Sequence, residues 1–511
     1  MTVQQAASDV EGSGEILDLL VVGGGINGTG IARDAAGRGM TVLLCEKGDL
    51  AQGTSSRSSR LIHGGLRYLE YGEFRLVREA LREREILLAV APHLVRPMRF
   101  VLPHVAQMRP AWVLRAGLFL YDHLARRRRL PASSAISLGT APEGIAVRPE
   151  LKRGFTYADC RTDDARLVVH NAMAARQLGA QVRTHTEFLH ASPQGALWRV
   201  QLRDLQSGKV ASQLVRTLIN AAGPWVEEVA PRIPGVARRH RARLVKGSHL
   251  VVPKFWSGDH AYLLQNVDRR AIFVTPYEED FALIGTTDVP YADSPDKVTI
   301  SAEETRYLCE AVNRQLRCTL DARDVVHAYS GVRCLVDDDQ ANATSVSRDY
   351  VIDVATSDQH APVLTVLGGK ITTYRRLAEH LLDLLRQHFP GMRPAWTASS
   401  PLPGGDFPDA DFDRAQAQFL QDTTFLPPNH ARALFNRHGT IARQILSGIH
   451  RLDGMGRHFG AGLYECEVHH FTQREWALTP QDVLWRRTKI GLRLTPDECR
   501  QFTQWMSAAK T

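Results

Sequence analysis

Gly23, Gly25 and Gly28 stand in a G-x-G-x-x-G spacing near the start of this chain of 511 residues. At the first position glycine allows a tight turn, at the second it lets backbone approach a pyrophosphate, and at the third it lets a helix pack closely on a strand. The flanks supply what such a loop needs. Leu19 to Val22 reads as a short buried strand, and Ala32, Ala35 and Ala36 lie on the packing side of a helix closed by Gly39. Thr41 to Glu46 then reads as a second strand ending in an acid. The helix N-terminus offers free N–H groups and a positive dipole end to phosphates. Glu46 lies at the distance beyond Gly28 that suits hydrogen bonds to a ribose diol. An acid there favours a free 2′-hydroxyl, hence FAD or NAD over NADP, and leaves FAD and NAD unseparated.

Further groups extend the anion-binding theme. Thr54, Ser55 and Ser56, with Arg57 and Arg60, form a hydroxyl-rich loop suited to donate to a diphosphate. His63, Gly64 and Gly65 follow, then the Arg67–Tyr68 pair. Gly223 sits in a small-residue cluster, Asn220–Trp225, after a strand-like run. Gly368, Gly369 and Lys370 follow another such run and precede an amphipathic helix beginning near Thr372. By residue type alone these last two clusters read more readily as structural turns.

The elements that must carry these groups exceed one domain: at about 150 residues each, the length predicts about three. Hydrophobic residues at 44% and charged residues at 23% exclude a disordered or fibrous chain. Seven scattered cysteines with no Cys-x-x-Cys pair argue against a disulfide framework or a zinc site, so no metal is expected, and they fit a reducing compartment. Met1 to Asp18 is polar and unlike a secretory signal. The net charge of +8 admits a nucleic acid, an anionic membrane or an anionic substrate and chooses none. Pro110 to Pro131 is apolar but too short to span a bilayer; with Arg126–Arg129 beside it, monotopic attachment to anionic lipid competes evenly with a buried helix that has a basic end. Ser399–Gly405 marks a turn-rich linker within 395–408, and helical spacing beyond it, as over Ala431–Leu446, predicts an all-helical C-terminal domain.

The run from Gly23 to Glu70 resembles FAD-dependent glycerol-3-phosphate dehydrogenase of the aerobic, respiratory type. Further matches follow in that family's order: Ala91–Leu94, Tyr121–Asp122, Asp163–Leu167, Asn220–Trp225, Lys246–His249, Gly285–Asp288, Tyr329–Arg333, Arg348–Tyr350, Gly368–Arg375 and Asp482–Lys489. The resemblance covers nearly the whole chain. It implies an α/β fold whose Rossmann-like FAD-binding domain is of the glucose-inhibited/D-amino-acid-oxidase-like flavoprotein type, with a mixed-sheet substrate domain and the helical C-terminal domain. The expected segments are 15–90, 155–225 and 330–390 for FAD, 91–154 and 226–329 for the substrate cap, and 400–511 for the C-terminal domain.

The activity so implied is oxidation of the C2 alcohol of sn-glycerol 3-phosphate to dihydroxyacetone phosphate, with a hydride passing to FAD and electrons to a membrane quinone; a same-fold oxidase using oxygen is the alternative. FAD contacts are expected from Gly23, Gly25, Gly28, Glu46, Thr54, Ser55, Ser56, His63, Gly64, Gly65, Gly223, Gly368, Gly369 and Thr372. Arg67, Tyr68, Arg333, Arg348 and Lys370 match positions for substrate, where arginine's planar fork suits a phosphate. His249 matches the active-site histidine and is the candidate base, with Lys370 and Arg333 meeting developing negative charge. Cys334 replaces the family's usual proline, which is expected to loosen the turn carrying Arg333 or to make the site sensitive to thiol reagents. Peripheral attachment to the cytoplasmic face of the inner membrane, with a soluble pool, and a homodimer complete the expectations. Nucleic acid drops out, and the remaining basic residues are expected to be solvated.

Overall fold

The structure is a computed structural model that describes residues 15–105, 109–268, 270–337, 349–357 and 360–508. Its first strand, β1 (Ile16–Val22), pairs in parallel with β2 (Val42–Cys45) on one side and with Val210–Asn220 on the other. Leu19, Leu20, Val21, Leu43 and Leu44 are fully buried, so these strands read as continuous apolar runs because both sheet faces are covered. Gln181–Arg183 and His360–Leu367 extend the parallel array at its two sides. Antiparallel Val351–Ser357 adds to the latter strand, and the hairpin Thr186–Gln194 with Leu197–Asp204 adds to Val210–Asn220, giving eight strands.

Four helices bear on the site: α1 (Ile26–Gly37), α2 (Phe74–Val90), α3 (Ala111–His123) and α4 (Asp164–Gln177). The small buried residues Ala32, Ala35 and Ala36 let α1 pack closely among α4 and the helix Tyr374–Leu384. Gly30 is needed there, because a Cβ would stand 2.6 Å from the Tyr374 ring.

A second, ten-stranded sheet is mixed, with Val95–Pro103 parallel to Ala261–Gln265 and its other pairings antiparallel. Two of its strands, Arg153–Thr162 and His327–Val336, include 155–162 and 330–336, which motif spacing grouped with the FAD segments. The motifs run along the seam between the sheets, so their spacing does not tell which sheet a strand joins. The fold is α/β, and among the described residues beyond 400 the regular elements are helical. The Ala431–Leu446 periodicity is two helices, Pro428–His438 and Ile441–Ile445, broken at Gly439, where φ is +56°. The linker-like Ser399–Gly405 is docked: Arg33 donates to the Ser400 carbonyl at 2.8 Å and Leu402 is buried.

The arginine excess is only partly solvated, contrary to expectation. Arg38, Arg84, Arg166 and Arg487 are almost fully buried and paired with Asp34, Asp159, Glu475 and Asp49. Burial of such a charge costs several kcal/mol unless a counter-charge and hydrogen bonds accompany it, and here each has both.

Trp198 is fully buried in the hairpin and donates from Nε1 to the Ala361 carbonyl at 3.0 Å, tying hairpin to parallel sheet. Trp198→Phe leaves that carbonyl unpaired and is expected to cost about 1–3 kcal/mol, read from the urea midpoint at constant m.

Candidate active site

A cavity of about 580 Å³ runs between the two sheets. The glycine loop forms one end. Gly23 has φ +114°, and a Cβ on Gly28 would stand 1.9 Å from the Gly23 carbonyl oxygen, so α1 seats on β1 only with glycine there. Gly25 is the N-cap residue of α1, whose first turn has no acidic residue. Ser55 Oγ accepts from the Ile26 N–H at 3.0 Å, and Thr54 Oγ1 donates to the Val332 carbonyl at 2.5 Å. Glu46, at the tip of β2, accepts from the Gly24 N–H at 2.6 Å and the Gly48 N–H at 2.7 Å. Burial raises its carboxyl pKa despite these bonds, and each oxygen retains a lone pair for a sugar hydroxyl.

The lining also carries cations. Arg67, Arg333 and Lys370 all border the cavity, with Tyr68, His63 and Phe273 among them. Arg333 is held by Asp288 and by Thr286 Oγ1, the latter at 3.0 Å. Lys370 Nζ lies 3.7 Å from the Tyr68 ring centroid, a cation–π contact. Arg67 contacts the Tyr71 hydroxyl at 3.4 Å, and the His63 ring meets Phe273 edge-on at 5.9 Å.

The expected residues therefore divide. Gly23, Gly25, Glu46, Thr54, Ser55, His63, Gly65, Gly223, Gly368, Gly369 and Thr372 border the cavity, as do the substrate candidates Arg67, Tyr68, Arg333 and Lys370. Gly28 acts from behind, through sterics. Ser56 turns away to its own loop, Oγ donating to the Gly53 carbonyl at 3.4 Å. Gly64 also lies behind the lining, where its N–H donates to Tyr121 Oη at 2.8 Å. Arg60 turns inward, 4.5 Å from the Tyr277 ring and 3.7 Å from Asp164, whereas Arg57 borders the cavity. Arg348 lies outside the described residues.

His249 sits in the wall behind the cavity. It is 2% exposed, stacks on Tyr329 at 5.0 Å and does not border the cavity; its Nε2 is 2.8 Å from Ser59 Oγ, which does. Burial, then the Arg333 and Arg60 charges, lowers its pKa to about 3, so the ring is neutral at pH 7. His63 is the histidine that borders the cavity. Cys334 corrects one expectation. It lies within the strand His327–Val336, paired with Leu244, and not in a turn, and it borders the cavity. Its thiol is pushed up to about 11 by burial, and Arg333 is steadied by Asp288.

Several supporting residues escape sequence reasoning. Asn27 Nδ2 donates to the Gly368 carbonyl at 3.3 Å, joining the two glycine clusters. Beneath Gly64, the Tyr121 hydroxyl meets Asp159 at 2.8 Å, and Asp159 meets Arg84 at 2.5 Å. Tyr121 and Asp288 did fall in matched motifs, but nothing in their spacing announces such partners. Among the described residues His438, His470 and Glu475 have metal-ligand proximity, yet Arg166 already pairs with Glu475.

Fold and cavity define a dinucleotide-binding α/β protein, and comparison with known proteins narrows this. The profile of the family described as FAD dependent oxidoreductase matches residues 18–375, and that described as the C-terminal domain of alpha-glycerophosphate oxidase matches 395–504. The chain belongs to the FAD-dependent oxidoreductases, and its cofactor is FAD. It is 49% identical over 97% of its length to D-erythritol 1-phosphate dehydrogenase of Brucella abortus (98% of that protein), and 48% identical over 97% to glycerol-3-phosphate dehydrogenase of Pseudomonas aeruginosa (96% of that protein). The solved glycerol-3-phosphate dehydrogenase of Bacillus halodurans, complexed with FAD, is 26% identical with a TM-score of 0.74, the match covering 97% of this chain and 95% of that one. The present residues fit the cofactor: a glycine cradle that a Cβ would fill, a helix N-terminus, and a carboxylate at the ribose distance.

His249 also carries a pH consequence. Native His249 stays neutral while the unfolded residue takes a proton below about 6.5, so its stabilising contribution is complete above that value and lost as pH falls toward 3. Between pH 7 and pH 5 the wild type is expected to lose about 2 kcal/mol more stability than His249→Gln, measured by urea unfolding at both values.

Proposed function

We propose that the protein oxidises the C2 hydroxyl of sn-glycerol 3-phosphate to dihydroxyacetone phosphate, with a membrane quinone as final acceptor. The observation that carries this reading is that Arg67, Arg333 and Lys370 border the same cavity as His63 and Glu46. Bound FAD supplies the two-electron acceptor for the hydride. The chain's own groups do the rest. Arg67 and Arg333 hold the phosphate dianion, Tyr68 adds a hydroxyl donor, and Lys370 stabilises negative charge at the reacting end. His63 accepts the C2 hydroxyl proton. Ser59, backed by His249, lines the wall beside Arg333 and positions rather than reacts. Arg348 is assigned to substrate on sequence position alone. FAD-binding, substrate-capping and C-terminal units are proposed as the domain division, with the first two following the sheets.

A second reading, oxidation of D-erythritol 1-phosphate, has support from the Brucella relative. Both substrates present a phosphate beside a hydroxylated chain, so the same cations serve either. Flavin absorbance should bleach anaerobically with the true substrate, and kcat/KM for the two phosphates ranks them. Turnover with a quinone analogue should exceed that with dissolved oxygen; the reverse order would make the enzyme an oxidase. Arg333→Ala is expected to lose about 2–5 kcal/mol of transition-state stabilisation, and His63→Ala to slow single-turnover flavin reduction by on the order of 10²–10⁴.

Attachment to the cytoplasmic face of the inner membrane belongs to the same reading, as does a homodimer, which mass measurement in solution tests. Among the described residues no helix is long and apolar enough to cross a membrane. Helix α3 instead buries Leu118 and Tyr121 and leaves Trp112 (74% exposed) and Phe119 (56%) exposed; Tyr71 and Phe74 are exposed as well. Of the four neighbouring arginines, Arg127 bonds the Asp122 carbonyl and Arg129 the carbonyls of Asp409 and Ala410, leaving Arg126 and Arg128 as the lipid-facing candidates. Trp112→Ser should weaken co-sedimentation with anionic vesicles about tenfold, by loss of buried apolar area. Unchanged vesicle binding would reject α3 as the membrane face.

A further inference from the structure

The helical C-terminal unit sends one segment, Asp482–Lys489, into the cofactor-binding part of the chain. Arg487 donates from Nη1 and Nη2 to the two oxygens of Asp49, both at 2.7 Å, and Arg486 Nε reaches the same carboxylate at 2.5 Å. The Asp49 and Arg487 side chains have no solvent exposure. Around this fork, Lys489 pairs with Asp163, the N-cap residue of α4, and Trp485 stacks on His327 at 4.3 Å.

Asp49 sits in the turn that follows Glu46. On its N-terminal side, Gly48 N–H holds the Glu46 carboxylate at 2.7 Å. On its C-terminal side, Asp49 N–H is held by Gln52 Oε1 at 2.9 Å, and Ala51 N–H donates to the Gly24 carbonyl at 3.1 Å. Gly48 and Gln52 border the cavity at the Glu46 end. A carboxylate this deeply buried persists only with a matched cation, because an uncompensated buried charge is strongly destabilising. The turn's shape near Glu46 therefore depends on a guanidinium delivered by the C-terminal unit.

We propose that Arg487, assisted by Arg486, is a positioning residue through which the C-terminal unit holds the Gly48–Gln52 turn in its cofactor-receiving shape, and that the unit thereby retains the adenosine half of FAD. The inference rests on Glu46 marking the ribose end of the cavity. Two readouts in full-length protein test it: the rate of FAD release from holoenzyme, followed by flavin fluorescence, and the affinity for ADP of the same protein stripped of FAD. In Arg487→Gln, FAD release is expected to accelerate about tenfold or more, with ADP affinity falling by a similar factor. Arg487→Lys, which keeps the charge and loses the fork, should fall between. At saturating FAD the substrate KM should stay within twofold of wild type.

A folded Arg487→Gln that releases FAD and binds ADP as the wild type does would overturn the proposal. If that variant does not fold, Arg486→Gln decides alone. It leaves the two-pronged contact intact and should raise FAD release about threefold; an unchanged rate rejects the clamp. Glu46→Gln separates the two layers of the argument. If it leaves ADP affinity unchanged, the assignment of the ribose end fails; if ADP affinity falls there but not in Arg487→Gln, only the clamp fails.

Discussion

The close seating of α1 on β1 is the constraint from which the rest of the site is measured. Strand and helix approach until a Cβ on Gly28 would lie 1.9 Å from the Gly23 carbonyl, a distance no other residue permits. That approach directs the N–H groups at the head of α1 into the space between the sheets, beside Ser55 and Glu46. Asn27, one residue into the helix, then catches the Gly368 carbonyl and brings the second glycine cluster alongside. With both clusters fixed, Lys370 and Thr372 follow as neighbours of His63.

Charges of both signs line the cavity. Glu46 offers a carboxylate to a sugar, while Arg67, Arg333 and Lys370 supply cations. These cations are half-buried and restrained by neighbours: Asp288 beside Arg333, the Tyr68 ring beneath Lys370. A restrained, partly desolvated cation binds a dianion more strongly than one fully in water. Several deeply buried arginines are structural instead. Arg84 supports the turn at Gly64 through Asp159 and Tyr121, and Arg166 and Arg487 join the helical unit to the cofactor-binding part. A modest net charge of +8 thus conceals two different uses of one side chain.

The two histidines show how a motif fixes a region before it fixes exposure. His249 belongs to a matched motif, and at His249 its strand, Ala242–Pro253, pairs with Gly285 on one side and Tyr329 on the other, which holds the imidazole in the wall. Gly285 and Tyr329 pack against it, and burial lowers its proton affinity. His63, assigned from sequence only as a cofactor contact, is the ring that reaches the cavity.

Local physics made much of the molecule legible in the sequence. The strand, glycine turn, small-residue helix and acid-ended strand from Leu19 to Glu46 form a short segment whose parts recognise one another without distant help, and the α/β class followed from them. Arg67 and Lys370, each beside a pair of glycines, became legible through the family resemblance of their motifs. Whether 155–162 and 330–336 join the parallel or the mixed sheet was decided only by hydrogen bonding between strands far apart in the chain. So was the fate of each arginine: Arg57 and Arg60 are three residues apart in one loop, and only the position of Asp164 and Tyr277 turns the second inward. Exposure, and with it proton affinity and chemical role, is a property of what packs around a side chain. Those neighbours come from every part of the sequence, so the sequence by itself determined the cofactor cradle, and the tertiary structure alone decided which cations and which histidine face it.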